Sequence, residues 1–158
     1  MSKQLTTFGA GCFWGVQQAF NDIPGVTNTV VGYAGGHVDN PTYEIVCAHK
    51  SGHAEVCQVE FDPEKLSYEK LLDAFWNMHD PTQLNRQGPD IGDQYRSVIF
   101  YHTREQKEIA EKSKEALDKS GTYDKPIATQ IKEAPTFWPA EEYHQHYFKK
   151  NGGGGCHI

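Results

Sequence analysis

The sequence lacks any apolar run near the ~18 residues that a membrane-spanning helix needs, so no membrane association is expected. Its start, Met1-Ser2-Lys3-Gln4, leads into Leu5-Thr6-Thr7-Phe8 with no secretory-signal pattern, and a cytoplasmic protein is the expectation. Basic excess is missing as well. Fifteen Lys and Arg stand against 21 Asp and Glu, a net charge of −6 that suits a phosphate backbone poorly, so nucleic acid is not an expected partner. None of the four cysteines, Cys12, Cys47, Cys57 and Cys156, forms a Cys-x-x-Cys pair. In a reducing compartment, reactive or metal-bound roles for them outrank structural bridges.

What is present is enough for one core. At about one domain per ~150 residues, a chain of 158 is expected to form a single domain over 1–158. Hydrophobic residues make up 37 % and aromatics 12 %, so the core leans on Phe, Tyr and Trp.

Leu5 to Phe8 reads as a strand broken by Gly9-Ala10-Gly11. Cys12 then opens a segment in which Phe13, Val16, Gln17 and Phe20 recur at helical spacing up to Pro24-Gly25. Val26 to Tyr33 is strand-like, and the stretch on to Gly52 is a long irregular excursion of the kind that is often functional. Ala54 to Phe61 predicts a strand, and Ser67 to His79 a helix with Leu71, Leu72, Phe75 and Trp76 inward. Asn85 to Gly92 reads as a polar loop, Tyr95 to Tyr101 as a strand, and Thr103 to Gln106 as a capping box opening a helix to about Lys119 with a solvated outer face. Ile127, Thr129 and Ile131 alternate as a strand. Pro139 fits the first turn of a short helix to about Lys149, and residues 151–158 read as a flexible Gly-rich tail. Helices and strands mix without a βαβα repeat, which points to a layered α+β fold. The small size and hydrophilic helix faces favour a monomer.

Cys12 stands where a strand ends and a helix begins, so unpaired N–H groups and the positive end of the helix dipole act on its sulfur. Such positions lower a thiol pKa from its ordinary ~8.5 and turn a weak nucleophile into a working one. The bland alternative is a small buried hydrophobe. Glu55 shares a strand face with Cys57, Val59 and Phe61. A carboxyl on that face is either desolvated, hence a proton donor near neutrality, or set at the strand edge and wet. Phe13 is in register with the core, whereas Trp14 is better placed to wall a pocket for a small apolar group such as a methyl. Cys47, His49, His53 and Cys57 form a loose zinc-like string, but strand parity turns Cys57 inward. A non-catalytic domain that captures Met-rich or oxidised peptides through Trp14 and the tyrosines is another reading.

Gly11-Cys12-Phe13-Trp14-Gly15 closely resembles the signature of the A-type peptide methionine sulfoxide reductases. Further segments agree with that family in order: Tyr43-Glu44, Gly52-His53-Ala54-Glu55-Val56, His79-Asp80-Pro81-Thr82, Asn85-Arg86-Gln87-Gly88 with Asp90, Gln94-Tyr95-Arg96-Ser97 and Ala140 to Gln145. The resemblance implies a two-layer α+β sandwich on a mixed sheet with a ferredoxin-like core, long loops and an irregular C-terminal tail. It also implies that Cys12 attacks the sulfur of a methionine S-sulfoxide, with Glu55 supplying a proton and Tyr43 and Tyr95 holding the oxygen. Phe13 and Trp14 would wall the methyl pocket, and Asp90, His144 and Tyr147 match positions that line or support the site. The resulting sulfenic acid would be resolved by Cys156 and the disulfide reduced by thioredoxin, with no cofactor. A tail from Asn151 extends roughly 17 Å at ~3.3 Å per residue, which gives Cys156 reach. Unlike members with two tail cysteines, this chain has Cys156 alone there. Cys57, where the family commonly has a small aliphatic, is either a spare thiol or a packing residue.

Overall fold

The computed structural model describes residues 3–48 and 51–147. Six elements build the centre: β1 (Gln4–Ala10), α1 (Phe13–Asn21), β2 (Val26–Ala34), β3 (Ala54–Phe61), a helix at Tyr68–Asn77 and a strand at Ser97–Tyr101. A short helix, α2 (Tyr43–Cys47), lies between β2 and β3, so the Tyr68–Asn77 helix is α3; a small hairpin of β4 (Arg86–Gln87) and β5 (Asp90–Ile91) precedes the Ser97–Tyr101 strand, β6. After β6 come α4 (Arg104–Lys119), β7 (Gln130–Glu133) and β8 (Trp138–Pro139). The large sheet has the order β7-β6-β1-β3-β2-β8. Its middle four strands are mutually antiparallel and each βαβ crossover skips one strand, the split βαβ arrangement of ferredoxin-like cores. The parallel pairing of β6 with β7 makes the sheet mixed, as expected.

Apolar periodicity explains the layers. α1 buries Phe13, Val16, Gln17 and Phe20, and α3 buries Leu71, Leu72, Phe75 and Trp76, both against the face of β3 that carries Cys57, Val59 and Phe61. Aromatics dominate this core: Phe8 stacks between Phe20 and Phe75 at centroid distances of 5.1 and 4.8 Å. Ser67 caps α3 by accepting from the Lys70 N–H, a contact worth about 1 kcal/mol. Thr103 caps α4 in the same way. Its partner Gln106 reaches back to the His102 N–H at 2.8 Å and donates to the Leu5 carbonyl at 2.9 Å, tying α4 to β1. The opposite face of the sheet is covered too, since Ala54, Val56, Val98 and Phe100 pack beneath Ala134 and Phe137. Among the described residues no helix is long and apolar enough to cross a membrane.

Five local expectations are corrected. The excursion before Gly52 contains α2, whose cap is Thr42 accepting from the Ile45 N–H at 3.3 Å. Within Asn85 to Gly92, two short strands pair in register Arg86↔Ile91 and Gln87↔Asp90. Tyr95 is not in a strand but ends a 3₁₀ turn, Asp93–Tyr95, and pairing of the 127–131 region starts only at Gln130. Pro139 does not start a helix. It lies on β8 at the sheet edge, where a residue with no N–H costs nothing, and a 3₁₀ turn at Glu142–His144 follows.

Candidate active site

Gly11 holds φ +96°, a left-handed value that favours glycine, and turns the chain sharply from β1 into α1. Cys12 is the residue before the helix, half-buried, with φ −57° and ψ 121°. The first free N–H of α1, that of Phe13, donates to Glu55 Oε1 at 3.2 Å. The sequence reading assigned the dipole to the sulfur alone. In the fold the positive end of the helix is shared between Cys12 and the carboxyl of Glu55, which reaches it from 42 residues away. Glu55 is only 1 % exposed, so the wet-edge alternative is set aside.

Two tyrosines complete this side. Tyr43 is the first residue of α2 and Tyr95 the last of the 3₁₀ turn. Burial raises the pKa of the Tyr43 phenol, and so do its bond to Cys47 and the charges of Cys47, Glu55 and Tyr95. Tyr95 is raised first by burial, then by the charges of Glu55, Cys47, Asp90 and Cys12. Both phenols therefore keep their protons at neutral pH. The charge of Glu55 thus acts on both phenols, and those of Asp90 and Cys12 act on Tyr95.

The opposite wall is aromatic. Trp14 stacks on Tyr147 at 3.8 Å and 9°, and its Nε1–H donates to His144 Nδ1 at 2.9 Å. The His144 ring, 1 % exposed, lies 4.5 Å from Tyr43 and 5.2 Å from Phe13. Phe13 packs against Tyr33, while Trp14 stays half-buried. Glu141 spans the structure: Oε1 accepts from the Tyr33 hydroxyl at 2.9 Å and Oε2 from the Tyr43 N–H at 3.0 Å. Burial pushes the Glu141 carboxyl up, but bonds from the Tyr43 and Glu141 backbone and from Tyr33, with the His144 charge, outweigh it and bring it below the usual carboxylate range.

Of the expected residues, Cys12, Phe13, Trp14, Tyr43, Glu55, Asp90, Tyr95, His144 and Tyr147 converge, and Cys156 lies outside the described residues. Cys57 is fully buried opposite Phe8 and Val31, where desolvation raises its thiol pKa, so it packs the core. Of the zinc-like string, His49 lies outside the described residues, and among the described residues no group of three or more His, Cys, Asp and Glu is placed to hold a metal. His53 Nδ1 accepts from the Gly36 N–H and Nε2 bonds the Val38 carbonyl at 2.6 Å, leaving neither nitrogen for a metal. The sequence assigns no site role to Tyr33, Gln94 or Glu141, and reads Cys47 only into the zinc-like string. Cys47 bonds both Tyr43 and Gln94, and the Ala140 to Gln145 segment contained the signal for Glu141 without its partners.

A split βαβ fold with a half-exposed cysteine at a helix N-terminus, a buried carboxyl on the first N–H of that helix and protonated phenols alongside defines a cysteine-dependent oxidoreductase. The family model described as peptide methionine sulfoxide reductase matches residues 4–158. A peptide methionine sulfoxide reductase MsrA from Methanoculleus marisnigri is 61 % identical over 155 residues, covering 98 % of this chain and 94 % of that one. The chain belongs to the peptide methionine sulfoxide reductase family. Its fold superposes on reduced Mxr1 from Saccharomyces cerevisiae with a TM-score of 0.87 at 38 % identity, covering 98 % of this chain and 89 % of that chain. The complex of Mxr1 with Trx2 gives 0.62 at 27 %, covering 92 % and 84 %.

Proposed function

We propose that this protein reduces methionine S-sulfoxide, free or in proteins, to methionine in the cytoplasm, as a monomer whose 1–158 chain is one catalytic unit. Cys12 is the nucleophile: its thiolate attacks the sulfoxide sulfur while Glu55 delivers a proton to the oxygen, and Tyr43 and Tyr95 donate hydrogen bonds to that oxygen. The oxygen ends on Cys12 as a sulfenic acid and methionine leaves, with Trp14 and Phe13 against its methyl and Asp90, His144 and Tyr147 around the rest. Cys156 then attacks the sulfenic sulfur, water departs, and a Cys12–Cys156 disulfide remains. A dithiol reductant restores both thiols, so one sulfoxide consumes one dithiol and yields one water. Thioredoxin is the proposed reductant, since a relative of the same fold has been seen with Trx2. The observation that carries this reading is the Phe13 N–H to Glu55 bond beside the Cys12 thiol.

With dithiothreitol as reductant, Cys12→Ser should lose sulfoxide reduction by roughly 10³-fold or more. Cys156→Ser should cycle with dithiothreitol but stop after one turnover with thioredoxin. An active Cys12→Ser enzyme would refute the nucleophile. Unchanged thioredoxin-linked turnover in Cys156→Ser would move the resolving step to another thiol, and consumption of the R epimer from a racemic substrate would refute the stereochemical assignment.

A further inference from the structure

His79, in the turn after α3, is a buried titratable residue that the reaction above does not use. Its Nδ1 bonds the Phe75 carbonyl at 2.8 Å, and its Nε2 lies 2.7 Å from Ser97 Oγ. Ser97 Oγ in turn lies 2.7 Å from Thr129 Oγ1. A carbonyl only accepts, so Nδ1 carries the proton. In the neutral ring Nε2 therefore accepts from the Ser97 hydroxyl, and Ser97 Oγ accepts from Thr129. The direction of each of these three bonds is thus fixed for the neutral ring.

Ser97 is the first residue of β6, in register with Ala10 at the end of β1. Two residues before it, the 3₁₀ turn ends on Tyr95, and two residues after Ala10 stands Cys12. The same turn that carries His79 grips the other flank of the site. Gln87 accepts from the Asp80 N–H at 2.8 Å and donates to the Asp80 carbonyl at 2.9 Å. Gln87 is the strand partner of Asp90, whose charge acts on Tyr95. The segment His79-Asp80-Pro81-Thr82 thus anchors both chain segments that bring Tyr95 and Asp90 to the site.

We propose that His79, acting through Ser97, is a positioning residue that fixes the Tyr95 phenol against the sulfoxide oxygen. The functional part of this inference rests on the role given to Tyr95 above, and the positional part does not. The test is a double-mutant cycle combined with fluorine NMR of 3-fluorotyrosine-labelled protein, in which the Tyr95 signal is identified by its loss in Tyr95→Phe. Ser97→Ala should shift the Tyr95 resonance and lower kcat/KM with dithiothreitol by roughly tenfold, because a small displacement of a donor is costly. Ser97→Thr, which keeps the hydroxyl, and His79→Gln, which keeps one donor and one acceptor, should recover most of both. In a Tyr95→Phe background, Ser97→Ala should cost less than about twofold, since the group it positions is gone. An unmoved Tyr95 resonance in Ser97→Ala or in His79→Ala, which removes the ring, or equal losses in the two backgrounds, would overturn the proposal. A Tyr95→Phe enzyme with wild-type rate would instead refute the catalytic role of Tyr95, and the resonance would then decide the positional link by itself.

Discussion

The His144 ring accepts the Trp14 indole N–H on Nδ1 at 2.9 Å, and only a neutral ring has the lone pair to do so. Burial lowers the His144 pKa below its ordinary 6.5, with the charge of Glu141 partly opposing this. The sign follows from proton uptake. As pH falls below 6.5, the unfolded chain binds a proton that folded His144 resists, so stability is lost from there down to the folded-state value and the loss then levels off. Urea midpoints measured in pH steps should therefore fall more steeply for the wild type than for His144→Gln, which keeps an acceptor and does not titrate. His102 is lowered by burial as well and contributes equally to both proteins, so the difference isolates His144. Identical slopes would refute the assignment. At this scale the sequence was legible wherever the signal was local. Glycines around Cys12 and the neighbouring aromatics declare a site within five residues, and strand parity turned Glu55 inward. Parity fixes a face but not a depth, which is why Glu55 stayed between two readings until its bond to Phe13 was seen. The role of Glu141 depends on Tyr43, 98 residues away, and no spacing announces such a pair.

Elements with a clear period were readable at nearly their true bounds: α1, α3, α4, β2 and β3 each bury one regular set of side chains. Those that failed are short and held by the tertiary fold. α2 is a single turn, and the segment from β8 onward is defined by what it touches. There Gln145 acts as a surrogate strand: Oε1 accepts from the Val31 N–H at 3.0 Å and Nε2 donates to the Val31 carbonyl at 2.9 Å, continuing the edge of β2 where Pro139 cannot. Nothing in the helical pattern drawn from Pro139 to Lys149 distinguishes a side-chain amide with this duty. Gln145→Ala leaves the buried Val31 N–H without its acceptor and should cost about 1–3 kcal/mol. The loss should appear as a lower urea midpoint with faster amide exchange at Val31. Unchanged exchange there would show that the edge closes by other means.

At the scale of the whole molecule, a layered α+β class was legible because amphipathic helices and strands alternate irregularly. The strand order was not, because β1 pairs with β3 and β6, distant partners whose choice depends on crossover geometry and not on any local pattern. The same long-range closure makes one position on β2 decisive. A Cβ at Gly32 would fall 2.7 Å from the Phe137 ring and closer still to the Trp138 carbonyl. The ring has room to tilt, but the carbonyl belongs to backbone paired in register Gly32↔Pro139 and Tyr33↔Trp138. Gly32→Ala must therefore push β8 off the sheet, and overpacking of this kind costs typically about 1–3 kcal/mol. The segment that follows β8 carries Glu141 and His144, which hold Tyr43 and Trp14. One methyl on the far edge of the sheet should thus lower both the thermal midpoint and kcat/KM, with the Trp14 fluorescence shifted by loss of its His144 bond. Cys12 should still be labelled by iodoacetamide in the folded protein, because β1, which leads into it, is held by β3 and β6 and not by β8. A Gly32→Ala protein with wild-type activity and midpoint would mean that the edge yields without disturbing the site, and the mechanical link from β2 through β8 to the aromatic wall would be wrong.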